Sequence, residues 1–245
     1  MNEDAYKILD YLPFLPKTTQ EQEYIDFLWD SFKSNYENEK YQFAFIAYHM
    51  LFMNAVYFLI WKLKHHKLED FKKALIGFSK DIEKDFLNAT SPFAFSNEMI
   101  KESQIFRFLK LLNCDNSKIG TYVKIVRDRN SVAHSNGNIY FNTQQSADEK
   151  INEILRCIKE INDCGKHIIL AVFIEFLERN WNSEEWEFSE LKVQVEQILI
   201  KNNYLSKEDI KYCLTYNINQ LLRNPNFNDI NLFFDSIKIE YNKIN

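Results

Sequence analysis

From Tyr41 to Trp61 the chain runs without a single Asp, Glu, Lys or Arg. A stretch that long and that apolar has two physical homes: the interior of a bilayer, or the centre of a helical bundle that covers it on every side. Gln42, His49 and Asn54 sit inside the run, and basic residues flank it, Lys40 before and Lys62 and Lys64 after. Polar interruptions of that kind favour the bundle centre, with a membrane-embedded chain as the alternative. Only four glycines and four prolines in 245 residues leave room for few turns and demand long helices. The expectation is an all-α fold, a helical bundle over residues 1–180 followed by a small helical appendage at 181–245.

The rest of the chain can be punctuated from its caps and stripes. Residues 1–17 read as an apolar arm closed by Pro13 and Pro16. Thr18 and Glu21 have the spacing of a capping box and open a helix to about Tyr36. After the apolar run, His65 and His66 among Lys62, Lys64 and Lys67 read as a solvated basic helix end. One amphipathic helix is expected over 68–88 and another from a Ser96 cap to Leu112; a short turn at 113–117 then leads into the helix that ends in the stretch from Arg127. Ser146 and Glu149 suggest a second capping box, opening a very long helix to Asn180 with a bend near Gly165. Shorter helices at about 189–202, 207–222 and 229–241 complete the tail.

A net charge of −5 speaks against a protein that coats nucleic acid generally, so any RNA contact must be local. The four cysteines, Cys114, Cys157, Cys164 and Cys213, form no CxxC pair, so neither a zinc site nor a disulfide framework is expected. The acidic start Asn2-Glu3-Asp4 is not a secretory leader, and a reducing cytoplasm is the expected setting.

Function concentrates in the stretch Arg127-Asp-Arg-Asn-Ser-Val-Ala-His-Ser-Asn-Gly137. At a helical step of about 100° per residue, Arg129 falls within a stripe made by Tyr122, Ile125, Val126, Val132 and Ala133. Arginine keeps its charge, so such a position requires a carboxylate partner or a polar cavity. Asn130 and His134 are four apart on one flank, Arg127 lies on the same flank, and Asp128 and Ser131 should face solvent. Gly137 offers a helix stop. Elsewhere, His49 reads first as a hydrogen-bonded core or interface histidine and second as a catalytic group.

Arg129-Asn-Ser-Val-Ala-His134 resembles the R-N-x-x-x-H signature of the HEPN superfamily. The resemblance extends to an apolar central helix upstream, a helix ending in the motif and a long helix after it, over roughly residues 20–180. It implies an all-α HEPN-like bundle that forms a homodimer with a composite active site, and a metal-independent, cofactor-free endoribonuclease that leaves 2′,3′-cyclic phosphate ends. Such proteins serve as toxins or antiviral defence effectors, which makes RNA the substrate and an antitoxin or defence component the candidate partner. Carried onto this chain, the catalytic residues are Arg129, His134 and Asn130, with Arg127 and Lys124 contacting RNA and no metal ligands. One position departs from the pattern. Toxins of this family that are modified by a partner nucleotidyltransferase carry a tyrosine two residues after the histidine, and here Asn136 stands there. A non-catalytic HEPN scaffold binding a partner protein or nucleotide is the competing reading.

The residue types suit the chemistry on their own terms. Transesterification of RNA needs a base for the 2′-OH, an acid for the departing oxygen and a cation for the phosphorane. Imidazole changes protonation near neutral pH, and a guanidinium fork matches phosphate oxygens.

Overall fold

The computed structural model describes residues 3–96, 98–134 and 137–242, and among them the fold is all-α with no strand. The chain divides into two compact units, residues 1–9 with 18–165, and residues 10–17 with 166–245. The division passes through the long helix near Gly165, where the sequence reading places it after Asn180. The apolar run that begins at Ile168 packs with the tail helices, and this moves the division upstream.

In the first unit, α1 (Thr19–Glu37) opens with the expected capping box. The Thr18 hydroxyl accepts from the Glu21 N–H, and the Glu21 carboxylate accepts from the Thr18 N–H, both at 3.2 Å. The apolar run becomes α2 (Tyr41–His66), and 83% of its most apolar window is buried inside the fold. That burial is what the centre of a bundle requires. Several polar groups along α2 find partners elsewhere in the chain. Tyr48 donates to the Ala5 carbonyl at 2.9 Å, tying the N-terminal 3-10 segment Glu3–Tyr11 to the core. The C-terminal end of α2 departs from the solvated basic patch expected there. His65 and His66 are exposed, but Lys62 and Lys64 are buried, and Lys64 donates to the Ala89 carbonyl at 3.0 Å.

The helix expected over 68–88 is two, α3 (Leu68–Ala74) and α4 (Lys80–Asn88). Gly77 lies between them at φ +94°, a left-handed conformation that ends α3, and Ser79 caps α4 through the Ile82 N–H. Phe71, Phe86, Phe95 and Phe108 pack as one aromatic cluster at this end, the Phe71 and Phe108 rings stacked at 4.9 Å. Ser96 does not open a long helix. It ends the 3-10 turn Pro92–Phe95, and the chain resumes in the short α5 (Glu102–Ile105) and a 3-10 segment to Leu112.

The motif helix is α6 (Asn116–Ala133), and α7 (Gln144–Asn180) follows without a break. Its N-terminus is fixed by Thr143 rather than Ser146: the Ser146 N–H donates to the Thr143 hydroxyl at 3.2 Å. Helical hydrogen bonding continues through Gly165. A Cβ on Gly165 would lie 2.6 Å from Leu59 Cδ1, so this glycine permits a close approach of α7 to α2. Cys114 and Cys164 are joined as a disulfide, contrary to the expectation from their spacing, because the fold brings the start of α6 beside α7.

The second unit contains the remainder of α7, a short α8 (Leu191–Gln194) continued by a π-type turn to Lys201, α9 (Lys207–Leu214) and α10 (Phe227–Tyr241). Phe173 and Phe176 of α7 meet Phe234 and Phe233 of α10 at 5.6 and 5.7 Å. Ser206 and Asp209 form a buried capping box for α9.

Gly165→Val should destabilise the protein by about 1–3 kcal/mol, since the added methyls must displace the buried Leu59 side chain. Urea denaturation of variant and parent measures it. A variant as stable as the parent would show that Leu59 moves freely.

Candidate functional site

The motif is held by both ends of its helix. Asp115 caps the start of α6, accepting from the Ser117 N–H at 2.5 Å. Tyr122, Ile125, Val126 and Val132 are buried along its inner face as the stripe predicts, whereas Ala133, the last member of that stripe, is exposed. At the other end Gln42 of α2 donates to the Val132 carbonyl and accepts from the Tyr140 N–H, each at 3.0 Å. One amide side chain therefore satisfies a last-turn carbonyl of α6 and anchors the chain that returns after the motif.

Arg129 finds the partner its position demands. Its guanidinium pairs with the carboxylate of Glu102, the first residue of α5, at 2.5 Å. The same Oε2 atom accepts from His49 Nε2 at 3.0 Å. His49 is wholly buried and its Nδ1 has no partner, whereas Arg129 and Glu102 are each about a quarter exposed. Burial pushes His49 below its ordinary pKa against the pull of Glu102. The ring is then neutral, with its proton on Nε2 and a bare Nδ1 facing apolar side chains. Burial alone would raise the Glu102 carboxyl, but the bond from His49 and the ion pair with Arg129 outweigh it and hold the group at about 2. His49, expected as a hydrogen-bonded core histidine, is that, and its partner is the carboxylate that grips the motif arginine.

Arg129 and Asn130 line one cavity of about 520 Å³ together with Lys101, Glu102 and Tyr57. This is a polar recess at the base of the motif helix. His134 does not line it. The helix ends at Ala133; the His134 N–H still bonds the Asn130 carbonyl at 3.2 Å, the backbone leaves the helix there with φ −84° and ψ 138°, and the residue is exposed. The stop also comes earlier than Gly137, and Ser135 and Asn136 lie outside the described residues. Arg127 and Lys124 are exposed on the outer side, Lys124 within 3.8 Å of Glu153. Asp128 does not face solvent. It is half-buried and accepts from Lys150 of α7 at 2.5 Å, with Glu153 on the same ammonium at 2.7 Å.

No protein-family model matches the chain, and no curated protein or solved structure does. What the site can do is therefore argued from its own groups. Among the described residues no group of three or more His, Cys, Asp or Glu is placed to hold a metal ion. The arrangement offers a fixed guanidinium and an amide at a cavity wall, and an exposed imidazole at the end of the same helix. Glu102 is the residue that sequence reasoning missed. A buried arginine announces that it needs an acid, but 35 acidic residues compete for the role and nothing near Glu102 distinguishes it.

Glu102→Gln should weaken the fold at neutral pH by on the order of 2–3 kcal/mol, leaving the Arg129 charge unpaired. The sign with pH follows from a carboxyl held below its unfolded value. Its contribution is complete above about 4.5 and is lost as pH falls toward about 2. Denaturation midpoints of parent and variant measured from pH 7 down to 3 should converge; a constant gap would mean that Glu102 is not held low.

Proposed function

We propose that the chain is a metal-independent endoribonuclease of the HEPN type, acting as a homodimer in toxin or antiviral defence. The observation that carries this reading is the layout of α6. Arg129 and Asn130 open onto one polar cavity, while His134 projects from the end of the same helix into solvent. An exposed imidazole at a helix end is available to a second copy of the chain, and two copies bring two imidazoles to one cleft.

In that cleft the ribose 2′-OH gives its proton to one neutral His134 ring as the O2′–P bond forms. The P–O5′ bond breaks, and the departing oxygen takes a proton from the second, protonated ring. Arg129, steadied by Glu102, presents the rest of its fork to the phosphorane oxygens. Asn130 orients phosphate or imidazole, and the exposed Arg127 and Lys124 position the flanking backbone.

One observation favours the scaffold reading instead. Glu102 already neutralises Arg129, and His134 does not line the cavity that Arg129 lines. In that case the motif is a structural pair, and the chain binds a partner without cutting RNA.

Purified protein incubated with RNA in EDTA should yield fragments ending in 2′,3′-cyclic phosphate. Arg129→Ala and His134→Ala should each lower the rate by roughly 10²-fold or more with the helical circular dichroism intact. Unchanged cleavage in both variants would refute the assignment, and absence of cleavage by the parent dimer would favour the scaffold.

A further inference from the structure

A second cavity, of about 570 Å³, lies between α1, α2 and the start of α5, and the reading above makes no use of it. Its walls are aromatic. Tyr24, Tyr57 and Phe93 face it, with Tyr24 and Phe93 edge to face at 5.3 Å. Deeper in sit Met53 and Asn54, both almost fully buried.

Asn54 is 3% exposed, and its Nδ2 has no hydrogen-bond partner. Leaving an amide donor buried and unmet costs on the order of 1–3 kcal/mol, a penalty that an acceptor in the cavity would remove once the amide turns toward it. The cavity is also acidic. Glu23 stands exposed at the rim and Glu102 lies at the inner end, and among the described residues no lysine or arginine lines it. His49 and Arg129 bond to Oε2 of Glu102 and the guanidinium balances that charge, so the unbalanced carboxylate of the cavity is Glu23. Aromatic faces and carboxylates attract the same charge, and that charge is positive. A phosphate or carboxylate ligand would meet both acids.

We propose that this cavity binds a small organic cation, a protonated or quaternary amine on an apolar body that also carries one hydrogen-bond acceptor. The ammonium lies between Glu23 and the aromatic faces, and the acceptor meets the Asn54 amide. Glu23 at the entrance raises the local concentration of cations. The site stands independently of any RNA cleavage, because binding is read without a reaction.

Calorimetric titration of the full chain with tyramine and with 4-ethylphenol, which has the same ring and hydroxyl but no amine, tests this. Tyramine should bind saturably below about 1 mM, and 4-ethylphenol at least about tenfold more weakly. Asn54→Leu, which keeps the volume and removes the unmet donor, should fold and weaken tyramine binding about tenfold. Glu23→Gln, at an exposed position with little bearing on folding, should weaken it several-fold. No saturable binding of either tyramine or choline would overturn the proposal. Equal affinity for 4-ethylphenol, or unaltered tyramine binding in Glu23→Gln together with a folded Asn54→Leu, would overturn it as well.

Discussion

A helix that is apolar on all sides cannot rest on one neighbour, because whichever face is left uncovered meets water. α2 imposes that demand on the first unit, and much of the surrounding architecture answers it. α1 lies along it, the aromatic cluster closes its far end, and α6 crosses it at the motif. Even the glycine of α7 serves this demand, giving up helix propensity so that the backbone can settle against Leu59. The cost of such a helix is that its few polar groups must be met individually. Gln42, Tyr48 and His49 are met by partners distant in the sequence, and Asn54 keeps one donor unmet.

Two of those polar groups shape the motif. Gln42 fixes where α6 ends, and His49 supports the carboxylate that holds Arg129. The central helix is thus both the hydrophobic axis and the rear wall of the candidate site. A neutral His49 is what makes this workable. A charged ring at a fully buried position would bring a second cation beside Arg129 and would leave an unmet N–H. The neutral tautomer instead delivers a single hydrogen bond and keeps Glu102 fully ionised for the arginine.

Much of this was legible in advance, and where it was not the reasons are physical. Helix α1 could be read from Thr18 and Glu21 because a capping box is a local interaction between residues three apart. The central helix could be read because uncharged length is a bulk property. The break between α3 and α4 was hidden, since the apolar stripe through Phe71, Leu75, Phe78 and Ile82 continues across Gly77 as though nothing happened there. The need of Arg129 for a partner was visible from its place on the stripe, but the identity of Glu102 was not. Long-range pairing depends on which segment the turns deliver to that spot, and α5 is too short to carry a periodic signature. His134 illustrates the limit of extrapolating a helix: its N–H still bonds back to Asn130, but at ψ 138° the chain has already left the helix, short of Gly137. Asp128 was misplaced for the opposite reason, because Lys150 reaches it from α7, an element the local pattern knows nothing about.

The bond between Cys114 and Cys164 lies immediately before the N-cap of α6 on one side and late in the first unit's share of α7 on the other. It therefore encloses the whole of α6, the motif and the return loop in one covalent ring closed over 50 residues of sequence. Closing a ring of that size restricts the unfolded chain by roughly 4 kcal/mol in the loop-entropy picture. There is a second consequence. A peptide bond cut anywhere between the two cysteines, including in the loop at the exposed residues 137–139, would leave no free fragment while the bridge holds. Arg129, Asn130 and His134 would stay tethered to the rest of the bundle, and a nick in that loop would become visible only when the sulfurs are reduced.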